Sequence, residues 1–261
     1  MTYMDKFPAL ILAGGYADAE MQAKYSVRYR AEILLAGKVM VQYIVDALSQ
    51  ASRVSGICMV GDIECENVDK VVPDQGSLVE NLIAGVEECS GSDSVLVATA
   101  DIPLLTAEAV DDFIERCLGL DVDFCYPIIS KETIEKRFPN MHRTYARLAE
   151  GTFTGGNIVL VRKKFILEHA DLIRQVMEAR KDKIRLAKLI GIGTLFRTLV
   201  SQMLWAGAIN LCYLECTVGR IMHAKVKVVE SPYAEIGADI DTLEQMAFAE
   251  MWIKQNQSSL A

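Results

Sequence analysis

Two acidic stretches carry residue types that do chemistry together. "TADIPLLT" (Thr99–Thr106) places a carboxylate, Asp101, directly after a β-branched apolar run. An acid there either shapes a turn or binds something. "GADIDT" (Gly237–Thr242) spaces Asp239 and Asp241 two apart, so in an extended segment both face one way. Carboxylates side by side repel unless a cation or a proton joins them. If Asp101 meets them in space, the three form an oxygen donor set for Mg2+, which takes few carboxylates and completes its shell with water and phosphate oxygens. Acids also favour helix starts, so decoration of the helix that follows is the competing reading of the pair.

Two further stretches bear on anions. Gly14-Gly15 follows the apolar run Ala9–Ala13. Paired glycines let backbone approach a ligand closely and let N–H groups cradle phosphate, although a plain tight turn has the same signature. Neither G-x-G-x-x-G nor G-x-x-x-x-G-K-[ST] occurs, which argues against a dinucleotide fold and a Walker P-loop. "RFPNMHRTYARLAEGTFTGGN" (Arg137–Asn157) gathers Arg137, His142, Arg143 and Arg147 with Tyr145 and Phe153, then Gly155-Gly156. That mixture suits an anionic, partly planar ligand, and equally a solvated loop with compensating charges.

These residues need a frame that brings them together. Short apolar runs alternate with helical patterns: strands at Ala9–Ala13, Ile57–Val60, Val71–Val72, Ser94–Thr99, Phe124–Ile128 and Asn157–Val161, with helices at Met40–Leu48, Ser77–Cys89 and after Thr106. Ser77 and Thr106 read as helix caps, and Thr242-x-x-Gln245 as a capping box. Lys225–Val229 alternates Lys and Val, as a strand with one wet face does. The order predicts an α/β fold with a mostly parallel sheet between helices. Ligands in such sheets sit beyond the carboxyl ends of the strands, where Gly14, Asp101 and the segment after Ile128 fall. Asp171–Val218 reads as a helical insertion, broken at Gly191-Ile192-Gly193, within one domain spanning residues 1–261.

Composition narrows the functional classes. The 261 residues carry 27 Lys and Arg against 35 Asp and Glu, a net charge of −8, so no global basic field draws nucleic acid. Seven cysteines, an odd number with no C-x-x-C unit, and three histidines argue against structural zinc and for reduced thiols in a cytoplasmic protein. Asp5 and Lys6 precede the first apolar run, which is no secretory leader. Leu186–Leu214 is the most apolar long stretch, but Lys188, Arg197 and three polar residues make it a poor membrane span. Its stripe of Leu189, Ile192, Phe196, Leu199 and Met203 suits core packing, a homodimer interface or another partner surface.

In this order, "LILAGG", "GKVMVQYIVDAL", "PDQGSLVENLIAGVE", "VLVATADIPLLT", "GTFTGGNIVLV" and "GADIDT" resemble the MobA-like nucleotidyltransferases, from about Phe7 to Phe248 outside the insertion. The resemblance implies the Rossmann-like nucleotide-diphospho-sugar transferase fold. It also implies Mg2+-dependent transfer of a nucleotidyl group from a nucleoside triphosphate, CTP or GTP, to a phosphorylated acceptor. Leu12, Ala13, Gly14, Gly15, Gln75, Gly76, Ser77 and Asn81 would bind nucleotide; Asp101 and Asp241, with Asp239 as a helper, would bind metal. Arg143, Gly155, Gly156 and Asn157 would face the acceptor. The family's glycine loop continues to an arginine and a lysine; here the loop is longer, and counting from Gly15 puts Lys24 at the lysine position whereas counting back from Gly37-Lys38 puts Arg30 there. The second count is preferred, making Arg30 the catalytic cation beside Asp101 and Asp241. Asp18 and Glu20 add negative charge to that loop. A non-catalytic nucleotide- or sugar-phosphate-binding regulator of the same fold is the alternative.

Overall fold

The computed structural model describes residues 5–179 and 209–257. A nine-stranded sheet runs through it. In chain order its members are β1 (Phe7–Leu12), β2 (Val54–Val60), β3 (Lys70–Val72), β4 (Ser94–Thr99), β5 (Phe124–Ser130), β6 (Ala146–Leu148), β7 (Gly151–Gly155), β8 (Ile158–Arg162) and β9 (Val226–Glu230). The spatial order is β3-β2-β1-β4-β8-β5-β7-β6, with β9 paired to β5. Strands β1 to β4 are mutually parallel, as are β5 and β9, and β8 lies antiparallel between the two groups. The mostly parallel sheet predicted from the alternating pattern is therefore present, and the antiparallel pairings of β8 and β7 make it mixed.

Alternation along the central strands divides the core in two. In β1, Ala9 and Ile11 enter one apolar cluster and Leu10 the other; in β4, Leu96 and Ala98 oppose Val95 and Val97. Helices α2 (Met40–Gln50), α4 (Ala107–Cys117) and α9 (Leu243–Gln257) cover the first face, while α3 (Leu78–Glu88), α6 (Lys163–Glu168) and α7 (Ala170–Ala179) cover the second. In α2, Met40, Val41, Ile44, Val45 and Leu48 are fully buried along one stripe. Each such side chain contributes roughly 1.5–3 kcal/mol. Ser77 and Thr106 cap α3 and α4 as read, and Thr242 and Gln245 exchange the capping-box hydrogen bonds.

Several elements escaped the sequence pattern. The β6–β7 hairpin crosses the arginine-rich stretch, for which a solvated loop was one of the two readings. Helix α1 (Ala19–Tyr25) fills the long glycine loop, and α5 (Lys131–Arg137) follows β5. These pieces are short and take their apolar contacts from distant parts of the chain, so no local period announces them. The expected helical insertion begins with α7 and ends in α8 (Leu211–Met222); its glycine break and the Leu189–Met203 stripe lie outside the described residues.

Candidate active site at the carboxyl edge of the sheet

The residues with chemistry converge on one edge. Strands β1, β4, β5 and β9 all end there, and the antiparallel β8 begins there. Backbone hydrogen bonds stitch the contributing segments together. Thr99 N–H donates to Asn157 O at 3.1 Å, Asn157 N–H to Ile236 O at 2.9 Å, and Ile240 N–H to Asp101 O at 2.8 Å. Ile240 is fully buried, so it anchors the chain between the two flanking aspartates and holds them beside Asp101.

Arg30 stands among these carboxylates. Its Nη1 pairs closely with Asp241 Oδ1 and lies 3.6 Å from Asp101 Oδ2. The path of the long loop puts it there. After Gly15 the chain leaves through α1, which Asp18 caps by accepting from Met21 N–H at 2.8 Å. It returns along a bridge between Tyr16 and Tyr29, and Arg30 N–H closes the excursion onto Gly15 O at 2.9 Å. Lys24 sits in the last turn of α1, over the Tyr25 ring. The cation at the carboxylates is thus Arg30, and the Asp18 carboxylate serves as a helix cap.

The acids differ in electrostatics. Burial, then the shared hydrogen bond and charge of Asp239, push Asp241 up to about 6 against the pull of Arg30. Asp101 is also raised, by burial and by Asp239, although Thr99 Oγ1 donates to its Oδ1 at 2.5 Å. Burial works upward on Asp239 too, but Arg143 outweighs it and holds this carboxyl below its ordinary value. Arg143 and Asp239 form a buried ion pair, and Asn157 Nδ2 donates to the same Oδ1 at 2.8 Å. Among the described residues no group of three or more His, Cys, Asp or Glu side chains is gathered to hold a metal ion. Asp101 and Asp241 face one guanidinium nitrogen, that of Arg30, whereas Asp239 is engaged by Arg143 and Asn157.

Two cavities meet at this cluster. One, of about 470 Å3, is lined by Leu12, Ala13, Gly14, Gly15, Gly76, Ser77 and Asn81, with Arg30 and Asp101 at its end. Asn81 organises its wall. It is 3% exposed, donates to Asp74 Oδ1 at 2.8 Å and accepts from Gln75 N–H at 2.6 Å. A Cβ on Gly14 would sit 2.6 Å from Asp74 Oδ1 and closer still to the Asn81 amide, so only glycine admits these side chains. Gly76 turns the loop at φ +82. The other cavity, about 1010 Å3, is lined by Tyr126, Arg143, Gly155, Gly156, Asn157, Asp239 and Asp241, with Phe248 and Met251 of α9 on one wall. Buried donors without a protein partner, Arg30 Nε and Arg143 Nε, lie at the two sites.

The family model of the MobA-like NTP transferase domain matches residues 9–190. The chain belongs to this family. A hypothetical transferase from Thermus thermophilus superposes with a TM-score of 0.82 at 34% identity, over 92% of this chain and 99% of that one. CMP:2-keto-3-deoxy-manno-octonic acid synthetase complexed with CTP gives 0.60 at 13% identity, over 97% and 100% of the two chains. The 2-C-methyl-D-erythritol 4-phosphate cytidylyltransferase from Thermus thermophilus gives 0.54 at 12%, over 95% and 99%. The last two share the nucleotide-diphospho-sugar transferase fold. No curated protein sequence matches the chain.

In this MobA-like domain the residues the resemblance assigned divide between the two cavities with one exception, whereas Arg137, Tyr145, Arg147 and Phe153 of the arginine-rich stretch line neither; Arg137 pairs with Glu235 and Phe153 packs in an apolar cluster. Gln75 lies outside the lining of the smaller cavity, its amide donating back to Pro73 O at 2.7 Å. Gly155 and Gly156 have a packing reason as well as a place at the larger cavity: a Cβ on Gly155 would run into the Tyr126 hydroxyl, and one on Gly156 would meet Ile236 at 2.6 Å. Sequence reading missed Asp74, whose Oδ2 accepts from Tyr16 and Tyr29 hydroxyls at 3.4 Å each. Its position beside Gln75 in "PDQGS" was the available signal.

Proposed function

We propose that the protein transfers a nucleotidyl group from CTP or GTP to a phosphorylated small molecule, with release of pyrophosphate. The observation that carries the reading is Arg30, held by its backbone at Gly15 and by its side chain between Asp101 and Asp241, where the glycine-lined cavity meets the larger one. The smaller cavity would take the nucleotide, with the Gly14-Gly15 backbone and the Ser77 end of α3 along the ribose and phosphates. The larger cavity would take the acceptor. CTP is the nucleotide in the complex of one fold neighbour and cytidylyl transfer the activity named for another, which favours it as the first candidate.

In the reaction an acceptor phosphate oxygen forms a new bond to the α-phosphorus. The bond from that phosphorus to the oxygen bridging to the β-phosphorus breaks, and its electron pair leaves on pyrophosphate. No proton transfer to carbon or redox step is needed, so positioning and charge neutralisation supply the acceleration. Arg30 would hold the α-phosphate from the cavity junction. Arg143, fixed by Asp239 and Asn157, would orient the acceptor. Asp101 and Asp241 would hold Mg2+, which supplies charge neutralisation to the triphosphate when bound; burial, and then the charge of Asp239 beside them, raise their affinity for protons.

The test is thermal shift with CTP, GTP, UTP and ATP, each with and without Mg2+, on the native protein and on Asp101→Ala. A ligand that binds only the folded state raises the melting temperature by mass action. A Mg2+-dependent shift with one nucleotide, abolished in Asp101→Ala, supports the transferase. Shifts indifferent to Mg2+ and to Asp101 would favour a nucleotide-binding regulator.

A further inference from the structure

Helix α9 is apolar on two opposite sides. Met246, Ala249 and Ile253 are buried in the core on the first face of the sheet. Ala247, Phe248 and Met251 fall on the other side at helical spacing and line the larger cavity. A surface helix ordinarily turns polar residues away from its core. Here the charged pair Glu250 and Lys254 forms a separate stripe, closed on itself at 2.7 Å, and an apolar wall is left against open space, with Met251 51% exposed. The Phe248 ring is braced from behind, edge-on to Phe138 and stacked on Trp252, each with centroids 6.1 Å apart. The wall is therefore preformed. Pro139 and the buried Met141 line the same cavity from the loop after α5.

The polar groups beside this wall are committed to the protein itself. Gln245 accepts from the Asp241 and Thr242 N–H groups at 2.8 and 3.0 Å and donates to His142 O at 3.2 Å. Thr242 Oγ1 accepts from Gln245 N–H at 3.2 Å, and the Asn157 amide donates to Asp239. Glu244, exposed in the first turn of α9, repels any second anionic group on a ligand. A sugar body carries a hydroxyl on nearly every carbon, and each needs a hydrogen-bond partner once buried. The carboxylate end of the cavity offers Arg143, whose Nε is buried without a protein partner. One cation there and an apolar wall beyond it complement a molecule with one phosphate and a hydrocarbon body. About 1010 Å3 is at the upper end for small-molecule pockets, far more than a phosphate fills. Met141 and Met251 are unbranched and adaptable, which suits a flexible chain better than a rigid ring.

We infer that the acceptor is the phosphate monoester of an aliphatic alcohol, its phosphate at Arg143 and its chain against Ala247, Phe248 and Met251. The inference rests on the nucleotidyltransferase reading and names its substrate class. An oxygen of the monoester phosphate bonds to the α-phosphorus of the triphosphate, pyrophosphate leaves, and the product is a nucleoside diphosphate ester of the alcohol.

The test titrates ethyl, butyl and hexyl phosphate, with ribose 5-phosphate as the sugar comparison, into the native protein and into Met251→Gln, and follows pyrophosphate release from CTP and GTP with Mg2+ for each. Met251 is half exposed, so the variant folds, and its melting curve checks that it does. Each buried methylene should tighten binding roughly three- to fourfold. Met251→Gln is expected to weaken hexyl phosphate about tenfold and to leave ethyl phosphate within about twofold. Affinity indifferent to chain length, no binding of any alkyl phosphate, or ribose 5-phosphate bound as tightly as hexyl phosphate would overturn the inference. Full chain-length dependence kept in Met251→Gln would overturn the placement on α9. Chain-length-dependent binding with no pyrophosphate from either nucleotide would refute the nucleotidyltransferase reading and leave the alkyl phosphate site standing. Pyrophosphate released with ribose 5-phosphate and not with hexyl phosphate would do the reverse.

Discussion

Truncating Arg143 to alanine probes the joint between the larger cavity and the carboxylate cluster. The Arg143 and Asp239 side chains are 11% and 13% exposed, so water screens the pair little. Removing the arginine leaves a buried carboxylate with the Asn157 amide and no counter-charge. Breaking a buried pair from one side costs about 3–5 kcal/mol. At about 2–4 °C per kcal/mol for a domain of this size, the melting temperature should fall by roughly 6–20 °C. The sign of the pH dependence is fixed by Asp239, whose carboxyl Arg143 holds below its ordinary value. A depressed carboxyl stabilises the fold above its unfolded-state value and loses that contribution as pH falls through its folded value. The gap between native protein and Arg143→Ala should therefore be widest near pH 7 and narrow below about pH 4. Circular dichroism melts across that range read it directly. A fall under 3 °C near neutrality, or a gap indifferent to pH, would refute the buried-pair reasoning. A paired Arg143→Met, Asp239→Leu variant should recover much of the stability while losing acceptor binding.

Further outcomes follow from other positions. Gly14→Ala pushes a methyl into Asp74 and Asn81; isothermal titration should show nucleotide affinity down at least tenfold, and native affinity would remove the close-approach argument. Asp241 is pushed up to about 6, so in metal-free protein its ionisation opposes folding as pH rises from about 4 to 6. Asp241→Asn should accordingly be more stable than the native protein above that window in chelator-treated melts, the difference closing toward pH 4; a less stable variant near neutrality would show the Arg30 pair to dominate.

Much of the frame was legible because it is local. Ser77 and Thr106 stand immediately before apolar stripes, and β4 is a run of six residues bounded by Ser94 and Thr99, so caps and periods fix those elements within the segment itself. Asp101, Asp239 and Asp241 stood out as acids next to apolar runs, and the structure brings their segments together at one edge of the sheet. Their partners were not legible. Arg143 meets Asp239 across 96 positions of chain and Arg30 meets Asp241 across 211, distances that no pattern of spacing encodes. The glycine loop misled in charge as well: Asp18 and Glu20 look hostile to a triphosphate until α1 turns Asp18 into its own N-cap.

The most direct test is the crystal structure of the protein with CTP and Mn2+ in place of Mg2+, located by anomalous scattering, or with GTP if thermal shift selects it. The account predicts a manganese peak held by Asp101 and Asp241, the triphosphate along Gly14-Gly15, and the Arg30 guanidinium moved from Asp241 onto phosphate. A nucleotide bound elsewhere, with Arg30 still paired to Asp241 and no manganese at the two carboxylates, would contradict it.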